Sequence, residues 1–163
     1  MQHNDDERWM RRAIELARQG EASEGTNPIG CVIVHGGVAI GEACSEVDLL
    51  HDATAHAEML AIRRAGAALV CHELRGMVLY TTLQPCGMCT MASIWAKVGR
   101  IVFGAGRDDV HRMYFEERHL ETMNFIRDAF RRDLALGGVL AEECAGLYVP
   151  RWAKLPKREQ FNV

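Results

Sequence analysis

Long apolar runs, an excess of basic residues and a second pair of closely spaced cysteines are all missing from this 163-residue sequence. No apolar run approaches the roughly 20 residues that a membrane-spanning helix needs. The N-terminal residues are polar and acidic, unlike a secretory signal, so we expect a cytoplasmic protein. The formal net charge of −3 argues against a protein held on nucleic acid mainly by phosphate contacts.

Proline is also scarce, with four residues, and the chain has no internal repeat, low-complexity tract or linker. Hydrophobic residues make up 48% and charged residues 25% of the chain, which excludes disorder as the main state. We therefore expect a single domain over residues 1–163, with an irregular tail from about residue 150 that contains Trp152 and Phe161.

The six cysteines do not indicate a disulfide framework, because no export signal accompanies them and the chain is long enough to bury its own core. Only Cys86 and Cys89 have the spacing of metal ligands. The other four are predicted to be small buried residues: Cys31, Cys44, Cys71 and Cys144.

Hydrophobic periodicity predicts an alternation of helices and strands. A helix over 5–20 is followed by a hairpin that turns at Gly36-Gly37. A second helix is predicted over 52–65, with Thr54 as its cap and Gly66 at its end. Further elements are predicted as strands at 77–82, 100–104 and 134–136, helices at 87–96 and 141–148, and helical spacing within 108–133. Strands joined through helices indicate an α/β fold whose sheet has a parallel part.

Two short motifs carry the chemistry. His-Ala-Glu occupies 56–58 and Pro-Cys-Gly-Met-Cys occupies 85–89, each near the start of a predicted helix. Zn²⁺ accepts imidazole nitrogen and thiolate sulfur, and catalytic sites supply three protein ligands. His56, Cys86 and Cys89 meet that requirement, and the two cysteines lie in one helical turn whose free N–H groups stabilise thiolates. The pair of motifs is the signature of zinc deaminases.

Glu58 lies two residues from His56, close to the predicted metal without needing to bind it. Zinc lowers the pKa of a coordinated water from about 15.7 to about 7, and a carboxylate in this place can move protons during hydrolysis. Alternatively, Cys86 and Cys89 could hold structural zinc or form a redox pair. Structural zinc would require a fourth nearby ligand, usually a Cys or His in a second short pair, and a redox pair would not account for His56 and Glu58.

The sequence around both motifs resembles the cytidine deaminase superfamily. The resemblance covers residues 5–105 and is carried by segments 28–34 (PIGCVIV), 52–58 (DATAHAE), 79–86 (LYTTLQPC) and 98–105 (VGRIVFGA). They are similar to the branch of bacterial tRNA adenosine deaminases, guanine deaminases and yeast-type cytosine deaminases. This resemblance implies a three-layer α/β/α fold with a mixed five-stranded sheet, a homodimer, zinc on His56, Cys86 and Cys89, and Glu58 as the proton shuttle.

Substrate contacts are less clearly indicated. Ser45 stands where the family often has an asparagine that contacts the base or ribose, and its single hydroxyl offers fewer contacts than an amide. Asn27 either replaces that contact or caps its own turn. Trp95 could stack on a flat ring, or lie in the core or a dimer interface. Ala57, within the motif at 56–58, is a further candidate for the base pocket. Asp108 and Asp109 are the last candidates, and they could equally lie in a solvated loop.

These observations favour a zinc-dependent hydrolytic deaminase acting on an amino-substituted purine-like base or nucleoside, with guanine-type substrates first. The segment 92–96 is similar to guanine deaminases, whereas 138–145 is similar to tRNA adenosine deaminases. Adenosine-to-inosine editing of tRNA is therefore the first alternative. The second is an inactive deaminase-like subunit whose zinc only supports the fold, although Glu58 has no structural purpose in such a protein.

Overall fold

The computed structural model describes residues 2–114, 124 and 135–156 of the chain. Its strands are β1 (Asn27–His35), β2 (Val38–Ser45), β3 (Val78–Leu83), β4 (Arg100–Ala105) and β5 (Ala135–Leu136). They form one sheet in the order β2-β1-β3-β4-β5. β1 pairs antiparallel with β2 and β3, whereas β3, β4 and β5 run parallel. The predicted α/β class and mixed five-stranded sheet are confirmed.

Helices cover both faces of this sheet. They are α1 (Gln2–Glu21), α2 (Val47–Leu50), α3 (Ala57–Leu69), α4 (Gly87–Trp95), α5 (Ala141–Gly146) and α6 (Val149–Trp152), with a 3₁₀ turn at Arg112–Tyr114. Strand side chains alternate between the faces. Val32 and Val34 of β1 join the hydrophobic core under α1 and α5, and Cys31 and Ile33 join the core under α3.

Two glycines allow the helices to approach the sheet closely. A Cβ atom on Gly30 would collide with the Ala13 carbonyl of α1, and one on Gly41 would collide with the Ala61 carbonyl of α3. The obstacle is backbone in both cases, so a side chain there could be accommodated only by moving a helix.

The helix predicted over 52–65 begins later and ends later than expected. The Asp52 carboxylate accepts hydrogen bonds from the amide and the hydroxyl of Thr54, both at 2.7 Å, and this local turn occupies the chain before α3. Thr54 is therefore not the cap, and His56 occupies that position. The helix continues through Gly66 to Leu69. Val70, whose φ of 49° is left-handed, is the residue that caps its end.

The hairpin and the other predicted elements within the described residues are present, with ends shifted by a few residues. Cys31 and Cys144 are buried as predicted, whereas Cys44 is half-buried and Cys71 is exposed. Cys71 is exposed because it follows the end of α3. The predicted irregular tail begins with α6 instead, and Phe161 lies outside the described residues, as does most of the predicted helical stretch within 108–133. No helix in the described part of the chain is long and apolar enough to cross a membrane.

Candidate metal centre and active site

His56, Cys86 and Cys89 converge at one point of the structure. The His56 Nδ1 atom lies 3.7 Å from Cys86 Sγ and 3.6 Å from Cys89 Sγ. The three ligand atoms lie within 4.8 Å of one another. A tetrahedral zinc ion with ordinary bond lengths would place its nitrogen and sulfur ligands about 3.6 Å apart. The donor set and its spacing therefore fit zinc.

Helix starts position these ligands. His56 and Cys86 are the residues immediately before α3 and α4, and both have extended backbone, with φ/ψ of −65°/152° and −68°/172°. Their carbonyls accept helical hydrogen bonds from the amides of Leu60 and Thr90. Neither side chain caps its helix, so both are left for the metal. Cys89 lies in the first turn of α4, where the helix dipole favours a thiolate.

The two thiols differ in their electrostatic surroundings. A hydrogen bond from Cys89, supported by one with His56, lowers the pKa of Cys86 to about 4. The same hydrogen bond, together with burial, raises the pKa of Cys89. Coordination to a metal would deprotonate both sulfurs, because a coordinating thiol gives up its proton. Cys86 is thus the ligand that already favours the thiolate form.

Glu58 is buried beside this centre, with only 4% of its surface exposed. The Cys89 thiol donates to Oε2 at 3.6 Å, and the Thr81 hydroxyl donates to Oε1 at 3.3 Å. No arginine or lysine of the described segments pairs with it. Burial, followed by the charge of Cys86, raises the pKa of Glu58. A carboxyl group with a raised pKa is suited to proton transfer near neutral pH.

Thr81 is the residue at this site that sequence reasoning missed. The sequence predicts only that it lies in the strand at 77–82. The alternation of strand side chains places Thr81 on the face covered by α3, while Thr82 points to the other face and contacts Tyr148 at 2.9 Å. A hydroxyl in an otherwise apolar strand face is the signal that could have indicated it.

Three of the predicted substrate contacts lie at the same end of the sheet as the metal centre. Asn27 and Ser45 are directly opposite each other on β1 and β2. Because Cys31 of β1 pairs antiparallel with Thr81, the start of β1 lies beside the end of β3, where α4 begins. Ala57 is buried as the first residue of α3. Their contact with substrate stays a prediction.

The structure does not bring Trp95 to this centre. It is the last residue of α4, about 13 Å along the helix from Cys86, and 78% of its surface is exposed. Asp108 and Asp109 are exposed in the loop after β4, and Asp109 accepts a hydrogen bond from the Gly106 amide at 2.7 Å. Their exposure and this local hydrogen bond agree with the alternative that the two residues lie in a solvated loop.

Known proteins are similar to this chain in sequence and in architecture. The family model described as the cytidine and deoxycytidylate deaminase zinc-binding region matches residues 3–105. A tRNA-specific adenosine deaminase of Buchnera aphidicola subsp. Baizongia pistaciae is 36% identical over 145 residues, covering 89% of this chain and 86% of that protein. A guanine deaminase of Bacillus subtilis is 36% identical over 111 residues, covering 68% and 71% respectively.

A solved structure with the same architecture is that of NE0047 in complex with 2,6-diaminopurine. It has a TM-score of 0.82 and 28% sequence identity, covering 93% of this chain and 84% of that one. Together with the sequence matches, it confirms three predictions: the superfamily, hydrolytic deamination as the class of enzyme, and zinc as the cofactor.

Proposed function

Because the chain belongs to the family of the cytidine and deoxycytidylate deaminase zinc-binding region, we propose that it is a hydrolytic deaminase converting adenosine in tRNA to inosine. The observation that carries the chemistry is the convergence of three metal ligands with a buried carboxylate that forms no ion pair with an arginine or lysine of the described segments. This proposal reverses the order in which the sequence analysis ranked guanine-type and tRNA substrates.

The length of the alignment with the Buchnera tRNA-specific adenosine deaminase supports a tRNA substrate. An alignment of 145 residues with the tRNA-specific adenosine deaminase cannot be contained in the family region 3–105, so it includes the C-terminal part of the chain. The alignment with the guanine deaminase covers 111 residues and is only slightly longer than that region. The longer alignment therefore includes residues outside the region that the whole family shares, and this supports a substrate like that of the tRNA-specific enzyme.

Each residue of the site has a role in the proposed reaction. His56, Cys86 and Cys89 would hold zinc, which supplies the polarisation that brings the pKa of a water molecule near neutrality. Glu58 accepts a proton from the attacking water and gives it to the purine ring nitrogen; it then takes the proton of the new C6 hydroxyl and gives it to the departing amine. Water adds at C6 of adenine, the C–N bond breaks, and one ammonia leaves for each inosine formed.

Guanine deamination is the second candidate. The similarity to NE0047, over 93% of this chain, supports it, since that structure holds 2,6-diaminopurine, a free purine base with two amino groups. Asn27 and Ser45 would face such a base from the end of the sheet. In either case we expect the predicted homodimer, for which Met91 and Trp95 of α4 offer exposed apolar surface one helical turn apart.

A panel assay distinguishes the two candidates. Ammonia release and product identity are measured with a tRNA anticodon stem-loop, adenosine, guanine, guanosine, cytosine, cytidine and an aminotriazine. Inosine formed in the stem-loop without xanthine from guanine would support the proposal. Xanthine alone would replace it with the second candidate. No product from any of these compounds would overturn both.

The metal assignment is tested separately with Cys86→Ala. Loss of one of three ligands should lower bound zinc well below one equivalent and reduce the stability of the holoprotein, because binding free energy contributes to folding. Zinc content is measured by atomic absorption and stability by urea denaturation. Cys71→Ala, which changes an exposed cysteine, is the matched control. One full equivalent of zinc in Cys86→Ala would contradict the ligand set.

A further inference from the structure

Thr81 occupies an unusual place for a hydroxyl group. It is fully buried on the face of the sheet that α3 covers, and its register neighbours are Cys31 on β1 and Phe103 on β4. The nearby side chains on that face are apolar and form one hydrophobic cluster that includes Cys31, Ile33, Leu79 and Ile101. A buried hydroxyl is costly unless it is hydrogen-bonded, and the acceptor for this one is Glu58.

The hydrogen bond distinguishes the two oxygens of the Glu58 carboxylate. Oε1 receives the Thr81 hydroxyl at 3.3 Å, whereas Oε2 lies 3.6 Å from Cys89 Sγ, on the side of the metal ligands. The terminal torsion of a glutamate is broad, so a carboxylate without a fixed donor can rotate. Among the described residues, Thr81 is a donor to Glu58 that is neither a metal ligand nor the backbone amide of Glu58 itself, so it restricts the rotation of the carboxylate at Oε1.

We propose that Thr81 is a positioning residue for deamination: its hydroxyl holds Oε1 of Glu58 and thereby leaves Oε2 directed at the reacting atoms. The inference rests on the proposed role of Glu58 in proton transfer. It assigns to Thr81 no contact with substrate or metal, so its removal should slow turnover without weakening the binding of either.

The test compares three substitutions in the zinc-loaded protein. Thr81→Val has nearly the same shape without the hydroxyl, Thr81→Ser retains the hydroxyl, and Thr82→Val removes the neighbouring buried hydroxyl on the opposite face. We expect Thr81→Val to lower kcat about 10- to 100-fold, as for loss of a hydrogen bond to a charged group, with KM and zinc content unchanged. Thr81→Ser should restore kcat to within about threefold of the wild type.

A purely structural role would give a different result. If Thr81→Val retained its kcat, or if Thr82→Val lowered kcat as much as Thr81→Val does, the inference would be overturned. It would also be overturned if Thr81→Val lost zinc or raised KM in parallel with the fall in kcat. In each of these outcomes the hydroxyl would not act through the orientation of Glu58.

A second measurement does not depend on activity. Urea unfolding of the zinc-loaded protein is compared for the wild type, Thr81→Val, Glu58→Ala and the double variant. We expect the effects on the midpoint to be non-additive, because both substitutions remove the same hydrogen bond. Additive effects would overturn the contact itself.

Glu58→Gln separates failure of this inference from failure of the proposed function. If Glu58→Gln is inactive while Thr81→Val is fully active, only the positioning role is lost. If Glu58→Gln keeps its turnover, the proton-transfer role and the inference built on it both fail.

Discussion

Two buried carboxylates lie on opposite faces of the sheet, and their surroundings differ. Asp6 of α1 is 3% exposed and accepts two hydrogen bonds from the Arg100 guanidinium, at 3.0 and 2.7 Å, and one from the Tyr80 hydroxyl at 2.9 Å. Glu58, which is 4% exposed, accepts hydrogen bonds from one threonine hydroxyl, one thiol and its own backbone amide. The first carboxylate is paired with an arginine, whereas the second has no arginine or lysine partner among the described residues and lies beside the metal ligands.

The difference indicates what each group does. Through Tyr80 of β3 and Arg100 of β4, the Asp6 carboxylate joins α1 to the sheet. A structural role accounts for each of these contacts. A buried carboxylate without an arginine or lysine partner costs stability, and such groups are concentrated at functional sites. The contrast therefore supports catalysis at Glu58 by an argument that does not depend on the family resemblance.

The largest effect is expected for Glu58→Gln. The amide cannot accept and return a proton, so kcat should fall about 10²- to 10⁴-fold. Zinc content should stay at the wild-type level, and the free energy of unfolding should stay equal or increase, because an uncompensated buried charge is removed. Ammonia release, metal analysis and urea denaturation measure the three quantities. Unchanged ammonia release would remove Glu58 from the mechanism.

Asp6→Asn should give the opposite pattern. Removing one partner of a buried ion pair leaves Arg100 uncompensated, which we expect to cost about 3 kcal/mol of unfolding free energy. The kcat of the folded fraction should stay at the wild-type value, because Asp6 lies on the face away from α3. Asp5→Asn, at the exposed neighbouring position, is the control. A large fall in kcat with intact stability would show that the two faces do not divide in this way.

These two carboxylates also show how far the sequence can predict the structure. The metal ligands were predicted because their spacing within short segments is a local property, and the structure brings the three ligand atoms together. For Asp6, the sequence predicts only that it lies in the helix over 5–20, with no contact assigned to it. Its partner Arg100 is 94 residues away, and no local pattern joins the two.

Tertiary contacts also account for what was missed at the site. The hydrogen bond between Thr81 and Glu58 joins residues 23 positions apart in different elements. The start of α3 was predicted too early because Asp52 and Thr54 are good capping residues, yet they form a turn with each other. The position of Trp95 depends on the length of α4 relative to the sheet, which composition does not determine.

Two glycines sharpen the comparison of the faces. Gly30→Ala and Gly41→Ala both force a side chain against a helix backbone, and each should cost about 1–3 kcal/mol of unfolding free energy. Gly30 contacts α1, whereas Gly41 contacts α3, the helix that follows His56 and contains Glu58. We therefore expect only Gly41→Ala to lower kcat of the folded enzyme as well.

The control for this pair is Gly146→Ala. A Cβ atom there meets nothing within 4 Å, and the residue has no positive φ, so its stability should be unchanged or slightly higher. Equal kcat values for Gly30→Ala and Gly41→Ala would contradict the proposed difference between the faces.

The smallest effect is expected at a third carboxylate, Glu42 of β2, which is paired with an arginine as Asp6 is but is more exposed than either Asp6 or Glu58. Arg12 of α1 donates to both of its oxygens at 2.8 Å, and this pairing lowers the pKa of Glu42. Both side chains are about one-third exposed, so solvent screens the pair, and Glu42→Gln should cost less than about 1 kcal/mol at pH 7.

The pH dependence of this small cost follows from the direction of the pKa shift. A lowered pKa in the folded state means that the pair stabilises the protein fully above the ordinary glutamate value of 4.5. That contribution is lost as the pH falls from there through the folded-state pKa, because the carboxylate then becomes protonated in both states. Urea denaturation from pH 7 to pH 3 should show the wild type and Glu42→Gln converging in unfolding free energy. A difference that stayed constant or widened on acidification would show that Glu42 contributes through packing and not through its charge.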